Sequence, residues 1–143
     1  MKTENASPTS TVRYLANLRT EATHTRSGTT IYTDAPTDNR GRGEAFSPTD
    51  LVATALAQCM FTIMGIAAET HQIDIKEMKA DVFKTMAASP RRISKIEVRM
   101  EIYGSLSSRQ REILERAALN CPVAKSLHPG IEQVVLFEYR GAD

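Results

Sequence analysis

The chain has 143 residues, 24% of them charged and 41% hydrophobic, with a formal net charge of +1. These values fit one globular domain with a sizeable core, and they give no electrostatic case for binding nucleic acid or an anionic membrane surface. Two cysteines are present, Cys59 and Cys121, and the polar start MKTENASPTS lacks the apolar run of a secretory signal. The expectation is therefore a cytoplasmic protein, in a reducing compartment where a permanent structural disulfide is disfavoured.

Residues 1–10 read as a polar leader ahead of a single domain over 11–143. From Thr11, the residues Val12, Tyr14, Ala16 and Leu18 alternate with Arg13, Leu15, Asn17 and Arg19, which predicts a strand with one apolar face. Residues 21–25 and 29–33 read as two short strands around Arg26-Ser27-Gly28, a turn in which the glycine supplies a positive φ. Residues 34–46 are rich in Pro, Asn and Gly and read as a loop. A loop of that length beside a main helix is often functional.

The central element is predicted over 47–70. Ser47 is placed as an N-cap, Pro48 as the first helical residue and Asp50 as the residue closing a capping box. Beyond that signal apolar side chains fall on every face, as in a helix that is buried or spans a membrane. Thr49, Asp50, Thr54, Gln58, Thr62 and Gly65 interrupt the run and no second span follows, so the expectation is a buried core helix. Cys59 lies at its middle.

Residues 75–86 read as a strand with Met78, Ala80 and Val82 on one side, and 87–92 as a turn around Pro90. Residues 93–103 alternate most cleanly: Ser94, Ile96, Val98, Met100 and Ile102 on one face, Lys95, Glu97, Arg99, Glu101 and Tyr103 on the other. Ser107 and Gln110 form a second capping-box pattern. The helix behind it carries Ile113, Leu114, Ala117 and Ala118 on one stripe and stops near Asn120. Pro122 then suits the first position of a short helix, which makes Cys121 its N-cap. His128-Pro129-Gly130 ends that helix, His128 reading as its C-terminal cap, and 131–139 is an apolar strand. Strands and helices are segregated rather than alternating, so the fold class is α+β.

The chemistry worth weighing belongs to the thiols, whose reactivity follows the thiolate population. The amides at a helix start would favour negative charge at Cys121. Cys59 sits in the third turn of its helix, where the dipole helps little and burial alone would leave it inert. A reactive Cys59 needs a cation, and Arg19, Arg26, Arg40, Arg42 and Lys125 are the candidates. Both cysteines can equally be read as small core hydrophobes. They do not form a C-x-x-C motif, and His24, His71 and His128 show no zinc-ligand spacing with them, so no metal is expected.

SPTDLVATALAQCM followed downstream by NCPVAKSL resembles the OsmC/Ohr family of thiol-dependent peroxidases. The resemblance covers roughly residues 12–139. It implies an OsmC-like α+β fold, with an antiparallel sheet and a long buried central helix in an intertwined homodimer. It also implies a reaction. Cys59 would be the peroxidatic thiolate that attacks an organic hydroperoxide (perhaps also hydrogen peroxide) to give a sulfenic acid, and Cys121 the resolving thiol. An external thiol or dithiol, such as a lipoyl protein, would reduce the disulfide, with no bound cofactor.

In family members an arginine of the N-terminal strands holds the thiolate and a glutamate at the start of the central helix orients it. Arg19 falls where that arginine is expected, with Arg26 the alternative. The glutamate position after Pro48 is Thr49 here, and Asp50 follows. Asp50 either caps the helix or takes the glutamate's role, and Glu44 in the preceding loop is the other substitute. This departure places the chain nearer the OsmC-like branch. A different class of function on the same fold is a redox sensor or a small apolar ligand-binding protein. Met60, Phe61 and Met64 beside Cys59 would suit the latter.

Overall fold

The computed structural model describes residues 6–141; residues 1–5 of the polar leader and residues 142–143 lie outside them. The described chain divides after Leu51 into two compact units.

The first unit holds an antiparallel sheet of three strands in the order β1-β2-β3, with β1 at Ser10–Ala16, β2 at Arg19–His24 and β3 at Thr30–Asp34. The β2–β3 turn lies at the expected place and Gly28 has a φ of 76°. The β1–β2 turn departs from the sequence expectation. The alternation of apolar residues predicts one strand running through Leu18, but the chain reverses at Asn17-Leu18, with φ of 56° and 63°. Positive φ at both central residues is what a two-residue hairpin with the right twist requires. Leucine rarely adopts it. The Tyr14 hydroxyl accepts the Leu18 N–H at 3.2 Å and ties the turn to its own strand.

The long helix α1 runs over Pro48–Thr70. Its start is the predicted capping box: the Asp50 N–H donates to Ser47 Oγ at 3.1 Å, and the Ser47 N–H donates to Asp50 Oδ2 at 2.9 Å. The helix is long and apolar enough to cross a membrane by length and composition. Its burial is one-sided rather than complete. Ala53, Leu56, Ala57, Met60, Met64 and Ala68 form a buried stripe at helical spacing, while Val52, Gln58, Thr62 and Ile66 are exposed.

The second unit contains a sheet in the order β4-β5-β6, with β4 at Glu77–Ala87, β5 at Arg92–Tyr103 and β6 at Glu132–Arg140. An antiparallel sheet was expected; the second of the two sheets is mixed, since β4 and β5 form an antiparallel hairpin but β6 lies parallel to β5. The connection that makes this possible carries α2 (Ser108–Leu119) and α3 (Pro122–Ser126). The alternation read from β5 is obeyed, since Ile96, Val98, Met100 and Ile102 are all buried. They pack with the α1 stripe and with Leu114 and Ala118 of α2 in one core. The α+β class stands.

Candidate active site

Two sets of the sequence-predicted residues are brought together, one in each unit. In the second unit, Cys59 is half-buried on α1 and packs against the core. Cys121 arrives from the end of α2, where Asn120 bonds its side-chain Nδ2 to the Arg116 carbonyl at 2.8 Å and closes the helix. Pro122 starts α3, and Cys121 is its N-cap, with Sγ accepting the Ala124 N–H at 3.4 Å. Cys121 is fully buried, and its thiol interacts with that of Cys59.

The electrostatics of Cys121 run against the sequence expectation. A helix start was expected to favour the thiolate. Burial instead pushes the Cys121 thiol up. The amides of Ala124 and Val123 pull the other way, and the neighbouring Cys59 adds to the rise. A helix of one turn supplies few aligned dipoles, and loss of water outweighs them. Cys121 is therefore held as a neutral thiol.

In the first unit the β2–β3 register sets Arg19 opposite Asp34. Arg19 Nε donates to Asp34 Oδ1 at 2.8 Å and Nη2 to Asp34 Oδ2 at 2.9 Å, a two-point fork. Nη2 also reaches Glu44 Oε2 at 3.3 Å, and the Glu44 N–H donates to Asp34 Oδ2 at 3.0 Å. The Arg19 guanidinium holds the Asp34 carboxyl below its ordinary value against the cost of burial, and Asp34 in turn raises Arg19. Asp34 was not singled out from the sequence. The strands read from the sequence, 21–25 and 29–33, leave both residues out, and only the observed register faces Asp34 to Arg19.

The remaining candidates fall elsewhere. Asp50 serves the α1 capping box. Arg26 lies in the β2–β3 turn, and Lys125 is exposed in the last turn of α3. His128 was expected to cap α3, but Leu127 occupies that position; the His128 ring accepts the Gly130 N–H through Nδ1 at 2.8 Å and closes the next turn. Among the described residues no group of three or more His, Cys, Asp or Glu is placed to hold a metal ion.

The family model for OsmC-like proteins matches residues 41–135. The chain belongs to the OsmC-like family. Among solved structures, it is similar to a Psychrobacter arcticus protein provisionally described as an osmotic stress induced and detoxification response protein, with 49% identity over 94% of this chain and 98% of that one and a TM-score of 0.89. The OsmC-like fold also recurs in an organic hydroperoxide resistance protein from Legionella pneumophila, at 15% identity over 94% and 99% of the two chains and a TM-score of 0.74. A third is an organic hydroperoxide resistance protein from Elizabethkingia anophelis, at 13% identity over 95% and 99% and a TM-score of 0.71. No curated protein matches this OsmC-like chain.

Proposed function

We propose that the protein is a cysteine-based peroxidase for organic hydroperoxides. The observation that carries the reading is the neighbouring pair of thiols in unequal surroundings, Cys59 half-buried and Cys121 fully buried and kept neutral. The accessible Cys59 thiolate attacks the terminal oxygen of ROOH; the O–O bond breaks, ROH leaves after taking a proton, and Cys59 becomes a sulfenic acid. The Cys121 thiol then attacks that sulfur, an S–S bond forms and water leaves. An external dithiol, with a lipoyl protein as the proposed class, exchanges twice with the disulfide and restores both thiols while closing its own.

Arg19, fixed by Asp34 and Glu44, is proposed to take the part that the family resemblance gives to an arginine of the N-terminal strands. The names of the Legionella and Elizabethkingia relatives support the substrate class. A cytoplasmic homodimer belongs to the same proposal.

The test is intact mass and free-thiol count before and after one equivalent of an alkyl hydroperoxide without reductant. Loss of two hydrogens and of both thiols within one chain is expected. Unchanged thiols, or full turnover by C59S, would remove the mechanism.

A further inference from the structure

The inner face of β6 carries one amide among apolar side chains. Gln133, Val135 and Phe137 alternate on that face with exposed Leu136 and Glu138, and Gln133 stands in register with the buried Ile96 of β5. An amide at such a position is costly unless it finds a partner. Gln133 Nε2 donates to the carbonyl of Ala124 at 3.0 Å.

The bond spans from the sheet to α3. A one-turn helix leaves its last carbonyls without intrahelical donors, and Gln133 supplies one to Ala124. Ala124 is also the residue whose N–H donates to Cys121 Sγ at 3.4 Å. One residue of α3 is thus tethered to β6 on its carbonyl side and to the buried thiol on its amide side. Among the described residues, the other hydrogen bonds of α3 are internal or adjacent in sequence: the Lys125 N–H to the Cys121 carbonyl at 3.2 Å, Ser126 Oγ to the Pro122 carbonyl at 2.8 Å and the Leu127 N–H to the Val123 carbonyl at 3.2 Å. These shape the turn, Cys121, Val123, Ala124 and Leu127 pack it against the core, and the Gln133 bond adds a directional tether.

We infer that Gln133 is a positioning residue for the resolving step, holding α3 through the Ala124 carbonyl so that Cys121 Sγ meets the oxidised sulfur of Cys59. The inference rests on the peroxidase reading above. The step is Cys121–SH plus Cys59–SOH giving the disulfide and water. Its rate depends on the approach of one sulfur to another, down to a bond of about 2.05 Å, and so on the placement of α3. Oxidation of Cys59 by the hydroperoxide comes earlier and does not involve Gln133.

The test compares wild type with Q133M, which keeps the length of the side chain and removes the donor. Three readouts are taken with an alkyl hydroperoxide: the rate of Cys59 oxidation, the rate of disulfide closure, and the fraction of Cys59 captured by a sulfenic-acid probe or lost to sulfinic acid. The expected result is an unchanged first rate, disulfide closure slowed about fivefold, and matching gains in captured and over-oxidised Cys59. A merely structural role would lower the melting temperature without changing how the sulfenic acid is partitioned. Equal closure rates in Q133M and wild type would overturn the inference. Should Q133M fail to fold, Q133N keeps the amide, shortens its reach by a methylene and is judged by the same partition. Wild-type protein that reacts with hydroperoxide but never closes the disulfide would remove the parent reading, and this inference with it.

Discussion

Arg19 shows how a side chain can be prepared by neighbours distant in sequence. Its guanidinium is held by a carboxylate facing it across a hairpin and by a second from a loop. The proposed part of Arg19 in the reaction predicts that R19M slows oxidation of Cys59 at neutral pH by about tenfold or more. Stopped-flow mixing of each protein with hydroperoxide reads that rate. Asp34 gives an independent test of the same cluster. Its folded pKa is depressed below the ordinary 3.8, first by the Arg19 bond. Its contribution to folding is therefore present above that value and is lost as pH falls through the folded pKa. In urea denaturation the stability gap between wild type and D34N should hold from neutral pH down to about 5 and close below 3.8. At Cys121, the serine variant should retain oxidation of Cys59 but accumulate sulfenic and then sulfinic acid, visible by mass. Both cysteines were legible in the sequence because each sits in a local pattern. The neutrality of Cys121 was not, because burial is set by residues far along the chain.

At the scale of single elements, what the sequence made plain had its partners nearby. The two capping boxes, Ser47 with Asp50 and Ser107 with Gln110, join residues three apart, and both are present. Loss of the first should matter: S47A removes the acceptor for the Asp50 N–H and is expected to lower stability by about 1 kcal/mol, read as a shift of the denaturant midpoint at constant slope. The alternation in β5 was legible for the same reason, since a period of two is written into consecutive residues. The Asn17-Leu18 turn lacked the glycine that announces such a reversal, and only the pairing of Ala16 with Arg19 reveals it. Parallel pairing of β5 with β6 left no mark on either strand, because register between segments separated by two helices is decided by packing.

For the folded chain, the thiol pair links residues far apart in sequence. A disulfide between Cys59 and Cys121 would close a loop of roughly sixty residues, which by chain entropy alone stabilises the folded state by about 4 kcal/mol. Peroxide-treated protein should unfold at distinctly higher denaturant than reduced protein, and C121S should lose that difference. The placement of Cys121 on the α2–α3 crossover has a further consequence, one of timing. A ribosome releases α1 and the β4–β5 hairpin first, and these can join through short-range contacts while β6 is still unmade. Cys59 is thus translated and exposed to oxidants before the strand that carries Gln133 exists. Gln133, the proposed positioning residue, is translated after both thiols. On the inference that Gln133 positions α3, a nascent chain stalled ahead of Glu132 carries both sulfurs without that tether, and its oxidised Cys59 is expected to run on to sulfinic acid more often than in the finished chain.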